Sequence, residues 1–139
     1  MKITRSILVL ALALAGIQST HAQTPAYKIA NKIKLEGDGG WDYLTADDAS
    51  GKLYVSHGTV TQVVNESPGA LLGTIPDTKG VHGITLAKDL NKGFISDGKD
   101  TAVTVFDLVT LAVLAKVPVT GINPDAILYD PFSKKVFVY

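Results

Sequence analysis

The sequence contains no cysteine, one tryptophan and one methionine among its 139 residues. The lack of cysteine excludes a disulfide framework, a thiolate nucleophile and a cysteine-based metal site. Neither sign of charge is in excess, because 13 lysine and arginine residues balance 13 aspartate and glutamate residues. A chain of this charge offers no basic surface for nucleic acid, and without cross-links its stability must come from packing. Its hydrophobic content of 46% is that of a globular protein rather than a disordered one.

The N-terminus has the three-part layout of a secretory signal peptide. A basic head at residues 1–5 precedes an apolar run at residues 7–17, and Thr20-His21-Ala22 fits a cleavage site after residue 22. As a helix the apolar run would span ~17 Å, against a hydrocarbon core of ~30 Å, which favours cleavage over a retained membrane anchor. We therefore expect a periplasmic or secreted protein. Its mature chain would carry 11 basic and 13 acidic residues, since residues 1–22 hold two basic side chains and no acidic one.

The remainder of the chain repeats itself. Leu53-Tyr54-Val55-Ser56 recurs as Gly93-Phe94-Ile95-Ser96 and again as Val136-Phe137-Val138-Tyr139, with a period of 40 and then 43 residues. Short strand-like segments separated by turn residues fill each period, without helical spacing. Four short strands in ~40–45 residues are typical of a β-propeller blade. We predict an all-β chain of four-stranded antiparallel blades, in preference to a β-sandwich or a parallel β-helix.

The repeat also predicts the boundaries of the blades and strands. In the second repeat we expect strands at 83–87, 93–96, 102–107 and 112–117, with tight turns at 89–92 and 97–100. The chain is then divided into five parts. These are a signal peptide (1–22), an N-terminal strand that would close the last blade of a complete ring (23–36), blade 1 (37–79), blade 2 (80–120) and a partial blade 3 (121–139).

Four segments carry a resemblance to a known family: Gly39-Gly40-Trp41-Asp42-Tyr43-Leu44-Thr45, Leu53-Tyr54-Val55-Ser56-His57-Gly58-Thr59, Gly80-Val81-His82-Gly83 and Asn123-Pro124-Asp125-Ala126. They resemble the YVTN-repeat, YncE-like family of exported β-propellers. The resemblance implies a ring of about seven blades, with about two and a half of them in this chain as an N-terminal fragment. Only the stretch 65–69 departs from the family pattern. With bare blade faces, residues 23–139 are not expected to form a stable monomer.

Candidate site residues concentrate in two kinds of connection, from the second to the third strand of a blade and from one blade to the next. Both kinds lie at one end of the blades, around one mouth of the expected channel. Asp42, His82 and Asp125 share one repeat position there, so they are candidates for a metal or polar-ligand site. A water-filled tunnel lined by the same side chains is the alternative that we favour. The full set of ligand-binding candidates is Trp41, Asp42, His57, His82, Asp97, Lys99 and Asp125, with Asp77 beside them.

Two of these candidates have competing interpretations. His57 is either a ligand or general base, or only a turn residue beside Gly58. Trp41 is either a stacking platform for a ligand or an aromatic residue that packs between blades.

No catalytic motif is visible in the sequence. It has no Gly-x-Ser-x-Gly, no His-Glu-x-x-His and no glycine-rich phosphate loop, and no cofactor is evident. The leading hypothesis is a binding module that presents loops at the channel mouth to a small molecule or a protein partner. A metal-dependent, lactonase-like hydrolase is the alternative, and an accessory role in electron transfer is a third option. Fold alone does not choose among them.

Overall fold

The computed structural model describes residues 27–139, so the predicted signal peptide and its cleavage site lie outside the described residues. The chain divides into two units, residues 1–31 and residues 32–139. The described part of the first unit, 27–31, has no regular secondary structure. Residues 32–36 also form no strand, and the predicted pairing of the N-terminal segment with a last blade stays a prediction.

The second unit is all-β, as predicted, and its strands are antiparallel. Two four-stranded sheets follow each other in the chain, each with its strands in sequence order, and a two-stranded hairpin follows them. Sheet 1 contains β1 (Trp41–Asp47), β2 (Lys52–His57), β3 (Val60–Asn65) and β4 (Leu71–Ile75). Sheet 2 contains β5 (Val81–Ala87), β6 (Lys92–Asp97), β7 (Ala102–Asp107) and β8 (Val113–Pro118). The hairpin contains β9 (Ile127–Asp130) and β10 (Lys135–Val138).

The strand predictions for sheet 2 agree with these bounds to within two residues, and the range of β7 is the predicted one. The turns lie where we expected them, as short connections between antiparallel neighbours at residues 88–91 and 98–101. Short 3₁₀ turns occupy Lys88–Leu90 and Gly98–Asp100, and each ends in a residue with left-handed backbone. The residue before the repeated lysine has positive φ in all three repeats, with values of 63° at Gly51, 52° at Asn91 and 58° at Lys134. This shared conformation turns the chain into the second strand of each repeat.

The two sheets share an irregularity in their first strand. In sheet 1 the register between β1 and β2 shifts between Trp41 and Leu44. In sheet 2 the register between β5 and β6 shifts in the same place, between Val81 and Ile84. Bulges of this kind re-aim side chains. The two bulges lie at the repeat position that Asp42 and His82 occupy, so the pairing with the second strand is irregular at this position and regular in the rest of the strand.

A buried apolar cluster lies between the sheets. From sheet 1 it takes Tyr54, Val63 and Ile75, which lie on one face, and from sheet 2 mainly Ile84, Ile95 and Phe106. The rings of Tyr54 and Phe106 lie 5.7 Å apart. Gly93, which stands where sheet 1 has Leu53, makes room for this packing, because a Cβ there would lie 2.0 Å from Cζ of Phe106.

Hydrogen bonds between neighbouring sheets also repeat in phase. Ser56 donates to the carbonyl of His82 at 2.5 Å, and Ser96 donates to the carbonyl of Asp125. Both serines are fully buried, so the recurrent serine of the repeat links the second strand of one unit to the start of the next. The first strands are linked as well, because Thr45 donates to the carbonyl of Ile84 and Thr85 accepts from the amide of Tyr129. Sheet 1, sheet 2 and the hairpin are therefore joined by equivalent serine contacts, with threonine contacts beside them.

The described residues include no helix of the length and apolar character needed to cross a membrane.

Candidate functional site

Several connections and the chain before β1 meet at one end of the sheets. This loop end, as we call it, consists of residues 37–40, 58–59, 76–80, 98–101 and 119–126. Backbone hydrogen bonds join its segments in series: Gly58 donates to Gly40 at 2.9 Å, Gly80 to Gly58 at 3.1 Å and Gly98 to Gly80 at 2.9 Å. The approach is close enough at Gly80 that a Cβ there would lie 2.9 Å from the amide nitrogen of Lys99. The small residues of the repeat thus hold the loops of successive sheets together.

Asp42 and His82 meet at this end. Nδ1 of His82 lies 2.5 Å from Oδ2 of Asp42, although the two residues are 40 positions apart in the sequence. The His82 side chain is 26% exposed and the Asp42 side chain 47% exposed, so solvent reaches the pair. The shared bulge explains the meeting, because it directs the same repeat position of two neighbouring sheets toward the same place.

Asp125, the third member of this repeat position, takes another role. Its carbonyl accepts hydrogen bonds from the hydroxyl of Ser96 and, at 3.3 Å, from the amide of Gly83. Its carboxylate is exposed and has no partner among residues 27–139. Within this range no three His, Asp or Glu side chains are arranged to hold a metal ion. The structure therefore brings two of the three candidates together and leaves the third carboxylate apart.

His57 is buried, contrary to its interpretation as a loop residue, and 1% of its surface is exposed. Its ring stacks on that of Trp41, with centroids 3.7 Å apart and an angle of 10° between the planes. Nδ1 of His57 lies 3.2 Å from Oε1 of Gln62, and the Gln62 amide donates to the carbonyl of Glu36 at 2.8 Å. Trp41 therefore packs within its own sheet through one face, while 53% of it stays exposed.

Asp97 occupies in sheet 2 the position that His57 occupies in sheet 1, and it is fully buried. Thr104 donates to its Oδ2 at 2.5 Å, while Oδ1 has no partner among the described residues. Burial raises the pKa of Asp97 to about 6, and the hydrogen bond from Thr104 and the charge of Lys116 only partly offset this effect. A buried carboxyl group that titrates near neutral pH is a feature of functional sites and of structural charge clusters alike.

Lys116 is the centre of the charge cluster that surrounds Asp97. Its ammonium lies 2.6 Å from Oδ2 of Asp100, 3.8 Å from Oδ2 of Asp97 and 2.5 Å from the carbonyl oxygen of Asp77. Burial disfavours the charged lysine, but the carboxylates of Asp100 and Asp97 outweigh this and raise the pKa of Lys116. Lys116 and Thr104 were not among the candidates predicted from the sequence. The only signal was their position on strands, where Thr104 pairs with Lys116 in the register of β7 and β8.

Lys99, the remaining candidate, is exposed, and its ammonium has no partner within residues 27–139. Its stem lies against Gly80, where a Cβ would be 2.7 Å from Cγ of Lys99. Lys99 therefore supplies a free positive charge at the loop end.

No family model matches the chain, and no curated protein matches it in sequence.

Proposed function

We propose that the two sheets and the hairpin are successive blades of a β-propeller of the YVTN-repeat, YncE-like kind. Three features support this architecture: the four-stranded antiparallel unit, its recurrence in sequence, and the equivalent contacts of Ser56 and Ser96 with the unit that follows. Tyr54 and Phe106 pack between consecutive sheets, as side chains between neighbouring blades do.

We further propose that the protein is an exported binding module whose loop end receives a small molecule or a protein partner. The observation that carries this proposal is the pairing of Asp42 with His82, a solvent-exposed polar contact at the end where the connections of both sheets meet. Asp42 and His82 lie near the starts of β1 and β5, and polar groups that converge at one end of a rigid scaffold are typical of binding sites. The metal-dependent hydrolase stays an untested alternative that no arrangement within residues 27–139 favours.

The place of binding can be tested by mapping. Backbone amide resonances of the full chain would be followed by NMR while a panel of small polar metabolites is added. We expect the affected amides to lie at the loop end, within residues 76–80, 98–101 and 119–126. Lys99→Glu should then change the affinity of the bound compound. Lys92 is also exposed but lies at the opposite end of sheet 2, so Lys92→Glu should leave this affinity unchanged. Binding that maps to the opposite end would contradict the proposal.

Export can be tested separately. Residues 1–26 fused to alkaline phosphatase should give activity outside the cytoplasm, with cleavage after Ala22. An inactive fusion that keeps Met1 would contradict the proposed localisation.

A further inference from the structure

The Asp42–His82 pair leaves one nitrogen of the imidazole free. A carboxylate accepts hydrogen bonds and does not donate them, so the contact of 2.5 Å between Oδ2 of Asp42 and Nδ1 of His82 places the ring proton on Nδ1. In the neutral ring, Nε2 then carries the lone pair and is an acceptor. This nitrogen has no hydrogen-bond partner among the described residues.

A second neutral polar group lies beside this nitrogen. A Cβ on Gly98 would lie 2.7 Å from Nε2 of His82 and 2.5 Å from Oδ1 of Asn123. The imidazole and the amide therefore flank the same bare piece of backbone. The Asn123 side chain also has no hydrogen-bond partner within residues 27–139, so an acceptor and an amide, which both donates and accepts, are available side by side.

The charges nearby do not favour an anion at this point. Beside a neutral His82 ring the Asp42 carboxylate leaves a negative charge, and the ammonium of Lys116 is engaged by Asp100 and does not offset it. The unpaired charges at the loop end include one of each sign, Lys99 and Asp125, both exposed. A hydroxyl group suits the free nitrogen and the amide, because it donates one hydrogen bond and accepts others.

We propose that the Asp42–His82 pair is the binding point for an uncharged, hydroxyl-bearing ligand of the polyol or sugar class, which donates a hydrogen bond to Nε2 of His82. Asp42 fixes the tautomer and the orientation of the ring, and the Asn123 amide binds a second polar group of the ligand. This inference rests on the proposed function of the loop end and names its ligand class.

The experiment uses the full chain and three probes: glycerol, xylitol and trehalose. Before titration, ¹⁵N NMR of the neutral His82 ring should show the proton on Nδ1. At least one probe should then shift the Nε2 resonance of His82 and the amides of residues 98–101 in a saturable manner. His82→Gln and Asp42→Asn should each weaken binding about three- to tenfold, the effect of losing one hydrogen bond.

Asp125→Asn is the matched control, because it removes a carboxylate at the same repeat position that has no side-chain partner in the described chain. It should leave the affinity within a factor of about two, below the effect of one hydrogen bond. Gly98→Ala should weaken binding without changing any charge, since a Cβ 2.7 Å from Nε2 of His82 and 2.5 Å from Oδ1 of Asn123 would force both groups to shift.

Several results would overturn the inference. One is a ring proton on Nε2, and another is the absence of saturable binding by all three probes. A third is unchanged probe affinity in both His82→Gln and Asp42→Asn, which would make the pair a structural link between sheets. Saturable binding of a charged metabolite at the loop end with no effect on His82 would also overturn it, but would leave the proposed binding function in place. Binding only at the opposite end would remove both.

Discussion

Asp97 should make the stability of the protein fall as the pH rises from 5 to 8. Its pKa is about 6 in the folded protein, because the carboxyl group is buried, against an ordinary value of 3.8 in the unfolded chain. The folded state therefore holds a proton that the unfolded state releases more readily. The stability that this proton contributes is complete below pH ~4 and is lost as the pH rises through about 6.

The magnitude follows from the difference between the two pKa values. A difference between 3.8 and about 6 corresponds to a total loss of about 3 kcal/mol in the free energy of unfolding, which begins near pH 4, and about half of it falls between pH 5 and 8. Carboxylates whose pKa is lowered in the folded protein, such as Asp107 and Asp130, act in the opposite direction, but only below pH ~4. The difference between the wild-type profile and that of Asp97→Asn between pH 5 and 8 therefore isolates the contribution of Asp97.

Because the stability of a self-associating chain depends on its concentration, the measurement is urea denaturation of the full chain at constant protein concentration and ionic strength from pH 5 to 8, followed by the fluorescence of Trp41. Asp97→Asn should flatten the profile, since its amide does not titrate and its oxygen still accepts the hydrogen bond from Thr104. Asp77→Asn, which changes an exposed carboxylate beside the same Lys116, should keep the wild-type slope. An Asp97→Asn variant with the wild-type slope would refute the reasoning.

Two further predictions concern the packing between the sheets. Gly93→Ala should destabilise the protein by about 3 kcal/mol, because its Cβ would overlap Phe106. Gly121→Ala is the control and should have little effect on the denaturation midpoint, because no atom lies within 4 Å of its Cβ. Equal midpoints for the two variants would contradict this packing. Tyr54→Phe should leave stability unchanged or raise it by about 1 kcal/mol, because the buried Tyr54 hydroxyl has no partner within residues 27–139. Tyr129→Phe should lower the Tm, because it removes a hydrogen bond of 3.0 Å to Asp89. A Tm that is lower for Tyr54→Phe than for Tyr129→Phe would contradict the hydrogen bonding described for the two hydroxyl groups.

The strand pattern could be read from the sequence because its causes are local. Alternating side chains and turn residues occur within a few positions of each other, so β7 was predicted with its observed bounds and β5 to within two residues. The left-handed residues that end the turns were harder to predict. Asn91 is a residue type that tolerates this conformation, but Thr101 is β-branched and does not favour it, although its φ is 50°. Its place in the turn between β6 and β7 imposes the conformation.

The sequence by itself determined the repeat, the all-β class and the shared position of Asp42, His82 and Asp125. Only the tertiary structure decided which of them meet, because a contact across 40 residues depends on how two sheets pack and where their bulges lie. The same holds for burial: His57 and Asp97 both end a second strand, yet one stacks on Trp41 and the other faces Thr104 and Lys116. Local patterns fix the strands, whereas the environment of a polar side chain is set by neighbours that are distant in the sequence.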